Sequence, residues 1–168
     1  MEYNFYCDGA ASMRKDGNGN YIREAGGWGF VLVDKENNKA IYQNSGRKDS
    51  TTNQEMELTA IHEVFRYYVE NLYDEERCDT INIYSDSAYC VNMLQDNGWV
   101  YTWRKNDWRR KGNKPIENLE LIQKIYITMF SLNEGFRKVN FIKVRGHSGD
   151  MWNEYADRLA VNAKEDKI

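Results

Sequence analysis

The chain has 168 residues, 41 % of them hydrophobic and 14 % aromatic, which suffices for one domain with an ordinary buried core. A net charge of −3 argues against a protein that holds nucleic acid through its overall charge. Cys7, Cys78 and Cys90 show no CxxC spacing, which excludes a disulfide framework, and no long apolar run marks a signal peptide or a membrane span. A cytoplasmic protein with no membrane contact is expected, with Cys7 and Cys90 as reduced, packed thiols.

Residues 3–7 read as an apolar strand that ends in Asp8, with Gly9 behind it. The polar, glycine-rich stretch MRKDGNGNYIREAGG predicts an extended loop over 11–25. WGFVLVD (28–34) and KAIYQNSG (39–46), joined by ENN, predict a hairpin. From Thr52 the period changes: Leu58, Ile61, Phe65, Tyr68 and Leu72 mark an amphipathic helix, with Thr51, Thr52 and Asn53 where a cap belongs.

TINIYS (80–85) reads as a short strand and SAYCVNML (87–94) as helix. Residues 98–117 mix aromatic and basic side chains. Leu121, Ile122, Ile125, Met129 and Phe130 mark another helix, VNFIKVR (139–145) a strand and GHSGD a turn. A last helix carries Trp152, Tyr155, Ala156, Leu159, Ala160 and Ala163 on one face. Strands cluster early and alternate with helices late, so an α/β fold with a mixed sheet and packed helices is expected.

Four carboxylates share an odd placement. Asp8 follows the first strand, Asp86 the fourth, Glu57 opens the long helix, and Asp157 lies beside the apolar stripe of the last helix. Taken singly, each has an ordinary explanation as a turn residue, a helix cap or a surface ion pair. If the first and fourth strands are parallel neighbours, Asp8 and Asp86 meet at the strand ends, where ligands gather in such sheets. Their mutual repulsion calls for a divalent cation, and oxygen-only donors suit Mg²⁺ or Mn²⁺ better than Zn²⁺.

These residues carry a family likeness. CDGA around Asp8, TTNQEMEL (51–58) around Glu57, YSDSAYCVN (84–92) around Asp86 and VRGHSGDMWNEYADRLA (144–160) resemble type 1 ribonuclease H in order and spacing, over nearly the whole chain. The resemblance implies a single ribonuclease H domain over 1–168 with no separate hybrid-binding domain. The implied fold is a five-stranded mixed sheet, its first three strands antiparallel, with helices on both faces. It implies an endoribonuclease that cuts the RNA strand of an RNA–DNA hybrid duplex, leaving 5′-phosphate and 3′-hydroxyl ends, and acting as a monomer.

Carried over residue by residue, it makes Asp8, Glu57, Asp86 and Asp157 ligands of two Mg²⁺ ions, with Mn²⁺ as a substitute. One ion would activate a water and the other would stabilise the leaving oxygen. His147 would assist turnover, whereas His62 has no motif around it and reads as merely helical. Asn53 and Gln54 would contact 2′-hydroxyls, and Thr52 and Asn118 a phosphate of the DNA strand; Thr52, Asn53 and Asn118 also fit helix caps. Residues 98–114 hold six cations against Asp107, a local charge of +5, interleaved with Trp99, Trp103 and Trp108. That stretch resembles the family's basic protrusion. Trp103, Arg104, Lys105, Trp108, Arg109 and Arg110 would grip the DNA strand, with Trp108 the leading contact.

The match departs from the family in two ways: no separate hybrid-binding domain is expected before Glu2, and the loop after Asp8 is long. Relatives often place an asparagine about six residues past the first aspartate, where this chain has Arg14, while Asn18 and Asn20 come later. Gly9 would leave room for substrate backbone to approach. Two other readings compete: a hybrid-binding module without catalysis, and the nuclease domain of a retroelement reverse transcriptase. An integrase or junction resolvase would share clustered acids but not TNQEMEL together with the RGHSG turn.

Overall fold

The computed structural model of the chain describes residues 1–145 and 149–166. Three long strands, β1 (Glu2–Lys15), β2 (Tyr21–Asp34) and β3 (Lys39–Thr51), form an antiparallel meander. Two short ones, β4 (Thr80–Ser85) and β5 (Lys138–Lys143), join the other side of β1 in parallel, giving the order β3-β2-β1-β4-β5. The expected mixed five-stranded sheet is therefore present.

Alternation along β1 divides the molecule into two layers. Phe5 and Cys7 face a large core shared with Leu58, Ile61 and Phe65 of α1 (Asn53–Asn71), Cys90 and Met93 of α2 (Ala88–Leu94) and Ile122 and Ile125 of α4 (Leu119–Glu134). Tyr6 faces the opposite side, where Val31, Val33 and Ala156 of α5 (Met151–Lys164) form a second, smaller cluster. Between α2 and α4 the chain runs through α3 (Trp99–Lys105) and a short 3₁₀ turn at Lys111–Asn113. Helices thus cover both faces. Cys7 and Cys90 are buried free thiols, as expected, and Cys78 is an exposed one.

The stretch predicted as a loop over 11–25 is mostly strand. β1 and β2 continue as a two-stranded ribbon, pairing Arg14 with Ile22 and Lys15 with Tyr21. The Asp16 carboxylate closes the turn by accepting the Asn18 and Asn20 amides at 2.8 and 2.9 Å, and Gly19 takes φ +79°. Arg14 and Glu24 form a 2.8 Å ion pair across the ribbon. Beyond the last β2–β3 pair, Glu24 with Thr51, the ribbon has no third strand, so the polar–apolar alternation that signals a strand is weak here.

Two polar networks brace the sheet. Asn4, Asn82 and Asn140 lie in register on β1, β4 and β5, and their amides bond in series at 3.1 and 3.0 Å. Asp79, just before β4, accepts the Tyr68 hydroxyl at 2.7 Å and Arg77 at 3.1 and 3.2 Å.

Candidate active site

The β1–β4 register places the first two acids. Tyr6 pairs with Tyr84 in parallel, so Asp8 and Asp86 each lie two residues further on, at the carboxyl end of the paired strands. Glu57 arrives from α1, which starts at Thr52: its hydroxyl accepts the Glu55 amide at 3.1 Å, the N-cap bond expected of threonine. Asp8, Glu57 and Asp86 can each offer one carboxylate oxygen within 4.8 Å of the others.

Gly9 explains how α1 comes so close. A Cβ there would lie 2.3 Å from the Glu57 amide nitrogen and 2.4 Å from the Met56 carbonyl carbon. The space expected to admit substrate backbone is filled by the helix backbone instead. Gly9 is there to let α1 approach β1, and its amide also donates to the Asp8 carboxylate at 2.9 Å.

Asp157 is brought in from the other face. α5 presses on two glycines of β2, where a Cβ at Gly27 would sit 2.2 Å from the Ala160 carbonyl oxygen and one at Gly29 2.6 Å from the Leu159 Cβ. Gly29 pairs with Asp8, so this contact delivers Asp157, half-buried, into hydrogen-bonding reach of the Asp8 carboxyl. His147 lies outside the described residues.

Electrostatics at the cluster favour a bound cation. Asp8 is only 5 % exposed. Burial, the Asp86 charge and the hydrogen bond with Asp157 push its carboxyl up to about 9, against the opposing pull of the Gly9 amide. Burial also lifts Glu57 to about 7; a Ser87 hydrogen bond opposes the shift and the Asp86 charge adds to it. Two nearby thiols offer no competing ligand, because burial raises Cys7 well above its ordinary value and Cys90 to about 12. The donor set is hard oxygen, confined and mutually repelling, and it fits Mg²⁺ or Mn²⁺.

Sequence reasoning passed over Ser87. Its hydroxyl accepts the Cys90 amide at 3.1 Å as the N-cap of α2 and also serves Glu57. A serine after Asp86 signals the cap, but nothing local reveals a partner 30 residues away.

The remaining site residues fall into two groups. Asn53 and Gln54 are exposed at the start of α1, and the side-chain Oδ1 of Asn53 accepts the Ala11 backbone amide at 2.6 Å. Asn118 stands at the N-cap position of α4, as read, in the left-handed region, φ 60°, where its backbone carbonyl accepts the Ile122 amide at 2.9 Å but its side chain makes no cap bond. Arg104 and Lys105 end α3, and Arg109 and Arg110 follow it, all four exposed. Trp103 and Trp108 are half-buried against the core, Trp108 edge-on to Tyr126 at 5.5 Å between centroids. Trp99 is the open tryptophan of the three, 44 % exposed.

The family model described as RNase H matches residues 1–165. The chain belongs to the RNase H family. It is a ribonuclease by that membership. Its relatives include the Ribonuclease H of Syntrophomonas wolfei, 38 % identical over 158 residues, which cover 94 % of this chain and 92 % of the relative. That of Treponema denticola is 31 % identical, with 97 % of both chains covered. Among solved structures, LC9-RNase H1, a type 1 RNase H with the type 2 active-site motif, superposes with a TM-score of 0.75 at 27 % identity, covering 99 % of this chain and 74 % of that one.

Proposed function

We propose that the protein is an endoribonuclease that hydrolyses the RNA strand of RNA–DNA hybrids at the Asp8–Glu57–Asp86 cluster, with Asp157 completing the donor set. The observation that carries this reading is the meeting of three carboxylates from β1, α1 and the end of β4 within 4.8 Å. Two divalent ions held there would lower the pKa of a bound water and stabilise the leaving 3′ oxygen, giving 5′-phosphate and 3′-hydroxyl ends.

The protein's own groups do the positioning. Asp8 is fixed on a rigid strand and oriented by the Gly9 amide, so its oxygens need no reorganisation when a cation binds. A cation held by Asp8 would favour its ionised form, and Asp157, in hydrogen-bonding reach of the same carboxyl, would be placed to serve as a further ligand. Ser87 supports the charged form of Glu57. Asn53, whose Oδ1 is held by the Ala11 amide, supplies its side-chain NH2 as a donor, and Gln54 supplies both donor and acceptor, for 2′-hydroxyls beside the N-terminus of α1, which favours phosphate. The cations after α3 draw in the DNA strand.

The test is cleavage of an end-labelled hybrid with Mg²⁺, with Mn²⁺ and with chelator, for the parent and Asp8→Asn. Metal-dependent cutting of the RNA strand by the parent alone, with 5′-phosphate products, is expected. Salt-sensitive hybrid binding by the parent without turnover would replace this reading with a non-catalytic module.

A further inference from the structure

The β1–β2 ribbon has a face that the active site does not use. Met13 pairs with Arg23 and Lys15 with Tyr21, and in a strand pair such partners, two residues apart, point to one side. All four side chains are exposed. The face carries two cations, an aromatic ring and a methionine, and no acid. Lys15 Nζ lies over the Tyr21 ring, 5.2 Å from its centroid. The acids of the ribbon stand elsewhere: Glu24 pairs with Arg14 on the opposite side, and Asp16 is consumed by the turn.

Placement ties this face to the site. Seven residues of strand separate Asp8 from Lys15, about 24 Å at the usual rise, so the ribbon runs out past the carboxylate edge of the sheet. Its root is fastened to α1 through the Ala11 amide and the Asn53 side-chain Oδ1, and to α5 through Lys164 and Ser12 at 3.2 Å. Arg23 is near enough to Glu55, in the first turn of α1, for its charge to act on that carboxylate, so the basic face turns toward the start of α1. The protrusion follows α2, which itself follows β4, the neighbour of β1 on its other side from β2. One basic projection thus extends β1, the strand of Asp8, and the other comes after β4, the strand that precedes Asp86.

We propose that Lys15, Tyr21 and Arg23 form a second grip on the hybrid, holding the backbone of the duplex away from the scissile phosphate, opposite the basic protrusion. Two exposed cations suit phosphates, the one acid in reach of Arg23 being Glu55, which is already paired with Lys48 at 2.7 Å, and Tyr21 gives a flat contact for sugar or an unpaired base. Arg14, engaged with Glu24, stiffens the ribbon rather than touching substrate. The grip contributes affinity and length preference, and takes no part in the chemistry.

The proposal rests on the hybrid nuclease reading, and its test separates the two. Hybrid binding is measured against salt for Asp8→Asn with and without Lys15→Ala/Arg23→Ala, and steady-state cleavage for the same pair in the active background. For a long hybrid the double variant should bind several-fold more weakly, with a salt slope shallower by roughly 1.5, raised KM and unchanged kcat. On a hybrid too short to reach the ribbon it should match the parent. Lys15→Arg/Arg23→Lys should retain parental binding. Unchanged affinity and slope on the long hybrid would overturn the second grip while leaving the nuclease intact, as would an equal loss in the conservative pair. A parent that neither binds nor cuts hybrid removes both readings.

Discussion

Asp8 and Gly29 face each other across the β1–β2 ladder, and the side chain that Gly29 lacks is the space through which α5 passes. The same contact that seats the helix brings Asp157 to Asp8. Gly29→Ala would place a methyl 2.6 Å from the Leu159 Cβ and 3.1 Å from the Ala160 nitrogen, so the helix must shift. A stability loss of about 1–3 kcal/mol is expected from such overpacking. Cleavage should fall further than the folded fraction does, because Asp157 moves with the helix. Denaturant melts and hybrid cleavage on the same preparation decide this; parental cleavage per folded molecule would show that α5 placement is not critical.

The acid cluster makes the metal-free protein sensitive to alkali. Asp8 at about 9 and Glu57 at about 7 are both raised above their ordinary values, so the folded state holds more protons than the unfolded state between about pH 4 and those values. With that sign, these two groups make metal-free stability decline as pH rises through 5 to 8. Mg²⁺ or Mn²⁺ should raise Tm more at pH 8 than at pH 5.5, and Asp8→Asn should flatten the pH dependence and shrink the metal shift. Thermal melts over pH with chelator and with metal read it out. A metal shift equal at both pH values would contradict it.

Asp79 has the opposite sign and lies at the other end of β4 from Asp86. Burial alone would raise its carboxyl, but hydrogen bonds from Arg77 and Tyr68 bring it below the ordinary range. Its stabilisation is therefore present above the unfolded value and is lost as pH falls through the lower folded one. Asp79→Ala leaves the buried Tyr68 hydroxyl without its acceptor and should cost about 1–3 kcal/mol, the partly exposed Arg77 being resolvated. Cleavage per folded molecule should stay at the parental level. A urea titration with an activity assay in low denaturant tests both halves.

The tryptophans of the protrusion should separate by role. Trp108 packs edge-on to Tyr126, so Trp108→Ala is expected to lower stability by about 1–2 kcal/mol through lost burial. Trp99, the more open ring, is expected to affect hybrid affinity more than stability when changed to alanine. Paired melts and binding curves for the two variants would show the assignment reversed if Trp108→Ala weakened binding at unchanged Tm.

Much of this architecture is written locally. The Thr52 cap marks the start of α1, and TINIYS matches β4 residue for residue. Asp8 and Asp86 stood out because each follows an apolar strand run, Glu57 because it lies near the start of α1 and Asp157 because it sits beside an apolar stripe, although β1 in fact continues past Asp8 to Lys15. The family motifs tied the four together. What escaped was non-local. The ribbon read as a loop because, with no third strand or helix over it, neither face is selected for apolar residues. Gly9 read as open space because its neighbour, the backbone of α1, lies nearly fifty residues along the chain. Asn118 read as a cap, yet its side chain makes no such bond.

The asparagine series on β1, β4 and β5 bears on this site from a distance. Asn4, Asn82 and Asn140 can hand their amides along the row at one alignment of the three strands, because a slip of one residue would turn each to the opposite face. Parallel strands have no connecting turn to fix that alignment. The row therefore acts as an indexing mark: it sets which residue of β4 arrives level with which residue of β1. Four positions further along both strands, that same indexing decides that one carboxylate meets another.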